Sequence, residues 1–145
     1  MSELQGAVER LEIDELHRGL REVQELLLRQ KLGEAQPAEL RARLDRLHPA
    51  DIAYVLDALP LEERLTVWDL VKADRDGEIL LEVTDAVRES LIASMDSREL
   101  VAAAETLEAD ELADIAEDLP PAVMEEVVKS LPPQERERLL SQPKK

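Results

Sequence analysis

Ten carboxylates stand between Glu99 and Glu126 with no lysine or arginine among them: Glu99, Glu105, Glu108, Asp110, Glu111, Asp114, Glu117, Asp118, Glu125 and Glu126. Asp110 and Asp114 are four apart, which on a helix sets both on one face, about 5–6 Å from each other. Like charges so placed destabilise a helix slightly unless something neutralises them. A hard divalent cation does this well, since carboxylate oxygens suit Mg2+ and Ca2+. The plainer reading of the same stretch is a solvated acidic face that aids solubility, and composition by itself favours it.

Other chemistry finds less support. Asp74-Arg75-Asp76-Gly77 has the outline of a calcium loop, but an EF-hand needs an acid at position 72 and Glu at 83, where the chain has Lys72 and Val83. His17 and His48 have no second histidine or cysteine with which to build a zinc site. His48 precedes Pro49 at a helix start, which gives it a local hydrogen-bonding or packing role. Four glycines and no cysteine leave neither a phosphate loop nor a thiolate nucleophile, and no Ser-His-Asp set is suggested by spacing. An enzyme is not expected.

With 18 basic and 34 acidic side chains the net charge is −16, against nucleic acid or an anionic membrane surface as partner and for cations or basic surfaces. No apolar run approaches the ~20 residues that span a bilayer, and Met1-Ser2-Glu3-Leu4 lacks the features of a signal peptide, so a soluble chain without direct membrane insertion is expected.

The elements that must position these residues are helices. Hydrophobic residues make up 44% of the chain with Phe absent and only Trp68 and Tyr54 aromatic, so the core is built from Leu, Val, Ala and Ile, and sheet formers are too scarce for a β domain. Leu4, Val8, Leu11, Leu16, Leu20, Val23 and Leu27 predict an amphipathic helix over residues 3–32, in one piece or broken at Gly19, and ending before Gly33. Pro37 opens a second helix carrying Leu40, Leu44 and Leu47.

From Leu47 the sequence repeats every twelve residues. Leu47, Leu59, Val71, Val83, Met95, Leu107, Leu119 and Leu131 form one apolar column. Eight residues into each unit stand Val55, Val67, Ile79, Leu91, Ala103, Ile115, Val127 and Leu139, followed by Leu56, Trp68, Leu80, Ile92, Ala104, Ala116, Val128 and Leu140. Prolines 49, 60, 120, 121, 132 and 133 sit where a missing N–H costs a helix nothing, Asp96-Ser97 and Thr84-Asp85 can cap two more units, and Trp68 is expected in the core. Two-turn helices cannot bury their own stripes, so neighbours must stack. The expected fold is all-α: a superhelical, solenoid-like array of short helices over residues 47–142, preceded by a helical segment over 1–46 and followed by a tail at 143–145.

Leu47-His48-Pro49-Ala50-Asp51-Ile52-Ala53, Leu107-Glu108-Ala109-Asp110-Glu111-Leu112-Ala113-Asp114 and the following Leu119-Pro120 resemble, in that order, the cytoplasmic N-terminal domain of MgtE-family magnesium transporters and channels. The likeness is clearest from Leu47 to Gln142. It implies a Mg2+-sensing regulatory domain that packs on a pair of CBS domains and favours the closed state of a transmembrane pore, in a parent protein that is dimeric. It implies Mg2+ on Asp110, Asp114 and Glu78, bound weakly by this domain alone, with Asp118 widening the patch. Glu78 and Asp114 hold the same position in units three apart, and Gly77 loosens the helix start before Glu78. Also implied is a place at the inner face of the plasma membrane, with the CBS and pore segments beyond Ser141-Gln142, so that transport is not expected of this chain alone. The alternative is an acidic helical interaction module akin to a flagellar motor-switch domain, with a basic protein partner.

Overall fold

In the computed structural model, residues 2–141 are described, so the expected tail at 143–145 lies outside them, as do the side chains of Val8 and Leu11. Helix dominates and no strand occurs among the described residues, so the fold is all-α as the composition requires. The chain divides into two compact units, the first ending at Val71 and the second beginning at Lys72.

In the first unit, α1 spans Ser2–Lys31, α2 Pro37–Asp45, α3 Pro49–Ala58 and α4 Leu61–Leu70. Of the two alternatives the one-piece helix is the one formed, with no break at Gly19. Gly19 is buried inside an unbroken α1, and a Cβ there would lie 3.7 Å from Leu47 Cδ2, so the glycine serves packing. The stop at Gly33 does occur, with φ +76. The Gly33 N–H donates to the Gln30 carbonyl at 3.1 Å and the Glu34 N–H to that of Arg29 at 2.7 Å, the paired bonds of a Schellman ending. Helix α1 packs on α2 and α3, and α4 on both α2 and α3. Val23, Leu27, Leu40, Leu44, Ile52, Val55, Leu56 and Val67 fill the interior, with Trp68 among them in the core role expected of it.

The second unit opens with a 3-10 turn at Ala73–Arg75, followed by α5 (Asp76–Glu82), α6 (Asp85–Ala93), α7 (Ser97–Glu105) and α8 (Ala109–Ile115). A 3-10 turn at Ala116–Asp118, α9 (Pro121–Ser130) and α10 (Pro133–Ser141) complete it. Helix α7 packs on α9, α8 on α10, and α5 on α6, α7 and α8. Asp96 caps α7 by accepting from the Glu99 N–H at 2.8 Å, while Glu99 accepts from the Asp96 N–H at 3.1 Å, a full capping box. Thr84 takes the N-cap position of α6, and Pro121 and Pro133 are first residues of their helices.

The twelve-residue period is visible in the helix starts: Pro49, Leu61, Ala73, Asp85, Ser97, Ala109, Pro121 and Pro133 each open a helical segment. All of Val55, Val67, Ile79, Leu91, Ala103, Ile115, Val127 and Leu139 are buried. The column beginning at Leu56 is buried through Ala104 and then opens to solvent, Leu140 being 73% exposed.

A second use of the period escaped the apolar columns. Arg64, Arg88 and Arg136 occupy one repeat position, and each reaches back to carbonyls at the end of the preceding helix. Arg64 donates to Leu56 and Leu59, Arg88 to Leu80, Leu81 and Val83, and Arg136 to Val128, Lys129 and Leu131. Helix C-termini leave carbonyls without intrahelical partners, and a planar guanidinium satisfies several at once.

Gly77 does not loosen α5. A Cβ there would fall 2.4 Å from Thr106 Oγ1, 2.6 Å from the Ala103 carbonyl oxygen and 3.2 Å from Leu107 Cδ2, so the glycine is where α5 touches the end of α7. Gly77→Ala is expected to cost about 2 kcal/mol in urea unfolding. Adding Thr106→Ala will not restore it, since the Ala103 carbonyl is backbone and cannot be removed.

Candidate functional site

The second unit carries all three residues that the sequence puts forward as cation ligands. Asp110 and Asp114 lie on α8, one turn apart, and both are exposed. Their positions follow from local chemistry. The Glu108 N–H donates to Glu111 Oε1 at 3.0 Å, fixing the first turn. Ala109, Leu112 and Ile115 are buried, which turns positions 110 and 114 to solvent. Glu78 is exposed on α5, between the buried Gly77 and Ile79. Helices α5 and α8 pack on one another, so the structure brings together the two elements that carry the three carboxylates. It does not draw three of them into one cage: among the described residues no group of three or more His, Cys, Asp or Glu side chains converges as a metal site.

Asp114 also lines a hollow of about 530 Å3 with Glu117, Asp118, Leu81, Asp85, Arg88 and Glu89. Neither Glu78 nor Asp110 is among its lining residues. The one base in it, Arg88, is 8% exposed and held from several sides. Its Nη1 lies 3.0 Å from Asp85 Oδ1 and 3.3 Å from Asp118 Oδ2, while Nε and Nη2 are taken by the carbonyls named above. Asp118, expected to widen the cation-binding patch, is therefore engaged with Arg88.

The donor set fits Mg2+. Their carboxylates are hard oxygen donors exposed to solvent, and Mg2+ keeps most of its water and takes only one or two carboxylates from a protein face. That requirement is met without a closed cage.

One carboxylate that sequence reasoning passed over stands out. Asp76, the first residue of α5, is 7% exposed, and its Oδ1 has no hydrogen-bond partner. Burial pushes its pKa up from 3.8 to about 7, with the negative charges of Glu99 and Asp74 adding to the shift. The N-terminal end of a helix favours a carboxylate, yet here desolvation prevails. A signal did exist: Asp76 occupies the repeat position that holds Arg64 and Arg88 in the units on either side.

His48 sits at the N-cap of α3, where its carbonyl accepts from the Asp51 and Ile52 N–H groups, both at 3.0 Å. The His17 ring lies 6.0 Å from that of Tyr54 between centroids, tilted by 45°. No described helix is long and apolar enough to cross a membrane.

The family described as the MgtE intracellular N domain matches residues 47–142, about two thirds of the chain. Comparison with curated proteins gives no match.

Proposed function

The chain belongs to the family of MgtE intracellular N domains, and from that premise we propose that it is the Mg2+-sensing regulatory domain of a magnesium transporter or channel, acting from the cytoplasmic side of the membrane. The observation that supports this reading is the pairing of α5 with α8, which sets the exposed Glu78, Asp110 and Asp114 on neighbouring helices. Bound Mg2+ would supply positive charge between this face and carboxylates on a CBS-domain pair of the parent protein. Glu78, Asp110 and Asp114 form this chain's half of the shared site. With that charge in place the acidic face is held against its partner and the closed pore is favoured. Without it the same carboxylates repel the partner face and the domain swings away. Only a difference in affinity between the two states drives such a shift. Half a site binds weakly, so a dissociation constant of about 1 mM or more is expected for this chain alone.

The test is an amide NMR titration with MgCl2, with NaCl at matched ionic strength as control. Saturable shifts confined to Glu78, Asp110, Asp114 and their neighbours are expected. Replacing all three by Ala should abolish those shifts while leaving the circular dichroism spectrum unchanged, since all three side chains are exposed. Shifts spread over the acidic surface and reproduced by Na+ would mean simple screening of a −16 chain, and would sink the sensor reading.

A further inference from the structure

Arg88 and Arg136 hold one repeat position and satisfy the preceding helix end with the same two atoms. At Arg88, Nε donates to the Leu80 carbonyl and Nη2 to those of Leu81 and Val83; at Arg136, Nε donates to Val128 and Nη2 to Lys129 and Leu131. That work leaves Nη1 over. At Arg88 it lies 3.0 Å from Asp85 Oδ1 and 3.3 Å from Asp118 Oδ2. The Asp85 side chain is 97% exposed, so water screens its share, whereas that of Asp118 is 32% exposed and that of Arg88 10%. The pair of consequence therefore joins α6 to the 3-10 turn at Ala116–Asp118 that packs on it.

This pair sits in the hollow described above, where Asp85, Glu89, Asp114, Glu117 and Asp118 surround a single guanidinium. Asp114, Glu117 and Asp118 fall within five residues, at the end of α8 and in the turn that follows. Even so, no three carboxylates converge there or elsewhere among the described residues. Cations differ in what such a group offers them. Ca2+ takes six to eight oxygens in flexible geometry, while Mg2+ keeps most of its water and uses one or two carboxylates. A third carboxylate beside Asp114 thus favours Ca2+ over Mg2+.

We propose that Arg88 is a specificity-determining residue: by holding Asp118 through Nη1 it denies the hollow a third carboxylate, leaving Asp114 to a hydrated Mg2+ and giving Ca2+ nothing to gain from the neighbouring acids. The proposal rests on the reading of Asp114 as a cation ligand. The Nε and Nη2 bonds fix the guanidinium from the carbonyl side, so Nη1 cannot swing away to release Asp118 when an ion approaches.

The test is a pair of amide NMR titrations of the full chain, with MgCl2 and with CaCl2, each against NaCl at matched ionic strength. Arg88→Met is expected to lower the Ca2+ midpoint about tenfold and the Mg2+ midpoint about threefold, the latter being what loss of one positive charge gives to either ion. Adding Asp118→Asn to Arg88→Met should remove the Ca2+ gain. A merely structural arginine would move neither the ratio of the two midpoints nor its dependence on Asp118. Midpoints that stay put, or shift by one common factor, or a Ca2+ gain that survives Asp118→Asn, would each overturn the proposal. If circular dichroism shows that Arg88→Met does not fold, Asp118→Asn in the natural chain decides. It should move neither midpoint more than about twofold, because Asp118 is already engaged, and a larger weakening of Ca2+ would show that Asp118 binds the ion beside Arg88 and overturn the role. A natural chain without saturable Mg2+ shifts sinks the sensor reading, while the Ca2+ gain in Arg88→Met still decides this one.

Discussion

At pH 8, Asp76→Asn is expected to stabilise the protein by about 2–4 kcal/mol, and at pH 4 to leave it almost unchanged. Asp76 is raised from 3.8 to about 7 in the folded chain, chiefly by burial. Well below 3.8 the group is protonated in both the folded and the unfolded chain and costs nothing. As pH rises from 4 to 7 the unfolded chain releases the proton first, so folding must retain a proton or bury a charge, and stability falls across that window. Above about pH 7 both states are ionised and the penalty stays at its full size. Asparagine has the same shape and no charge, so the variant should lose this downward slope. Urea unfolding at pH 4, 6 and 8 measures it, and parallel curves for the two proteins would mean that Asp76 is better solvated than its burial implies. In thermal melts the pH 8 gain should appear as a rise of several degrees.

Arg88→Met is expected to cost about 3 kcal/mol at neutral pH, and Arg136→Met almost nothing, with Arg64→Met between them. All three arginines do the same job, so burial sets the order. Arg88 is 8% exposed, Arg64 half-buried and Arg136 exposed. Removing the Arg88 guanidinium strands the carbonyls of Leu80, Leu81 and Val83 and frees Asp118 to repel Asp114 and Glu117 in the same hollow. At Arg136 water replaces each lost bond at little cost. Chemical denaturation of the three variants under one condition measures the series, and equal losses would show that the shared position acts through something other than carbonyl burial. Lysine is no substitute at position 88, because one ammonium cannot span three carbonyls and two carboxylates in the plane that the guanidinium covers.

The sequence by itself determined the helical class, the twelve-residue spacing of helix starts and the buried column from Val55 to Leu139. Helix capping, proline placement and the alternation of apolar with polar residues are local physics, read within one turn of chain. It also determined, through the ordered phrases at Leu47 and Leu107, the family to which residues 47–142 belong. Asp110 and Asp114 were legible as a pair because a helix fixes residues four apart. Glu78 was reachable from the resemblance and the repeat position, but only the packing of α5 on α8 brought its helix beside theirs.

Tertiary structure alone decided the rest. Gly77 and Gly19 read as weak points, because glycine is a poor helix former in isolation, yet the second is buried against Leu47 and the first admits the backbone of α7. Asp118 read as one more free carboxylate until Arg88, thirty residues away in sequence, was found holding it at 3.3 Å. Asp76 read as part of a failed calcium loop, since nothing local reveals that its environment excludes water. Periodic burial and the twelve-residue spacing of helix starts recur along the chain and so are written in the sequence. Which glycine meets a carbonyl, and which acid loses its water, depends on groups far apart in the chain that only folding brings within a few ångströms.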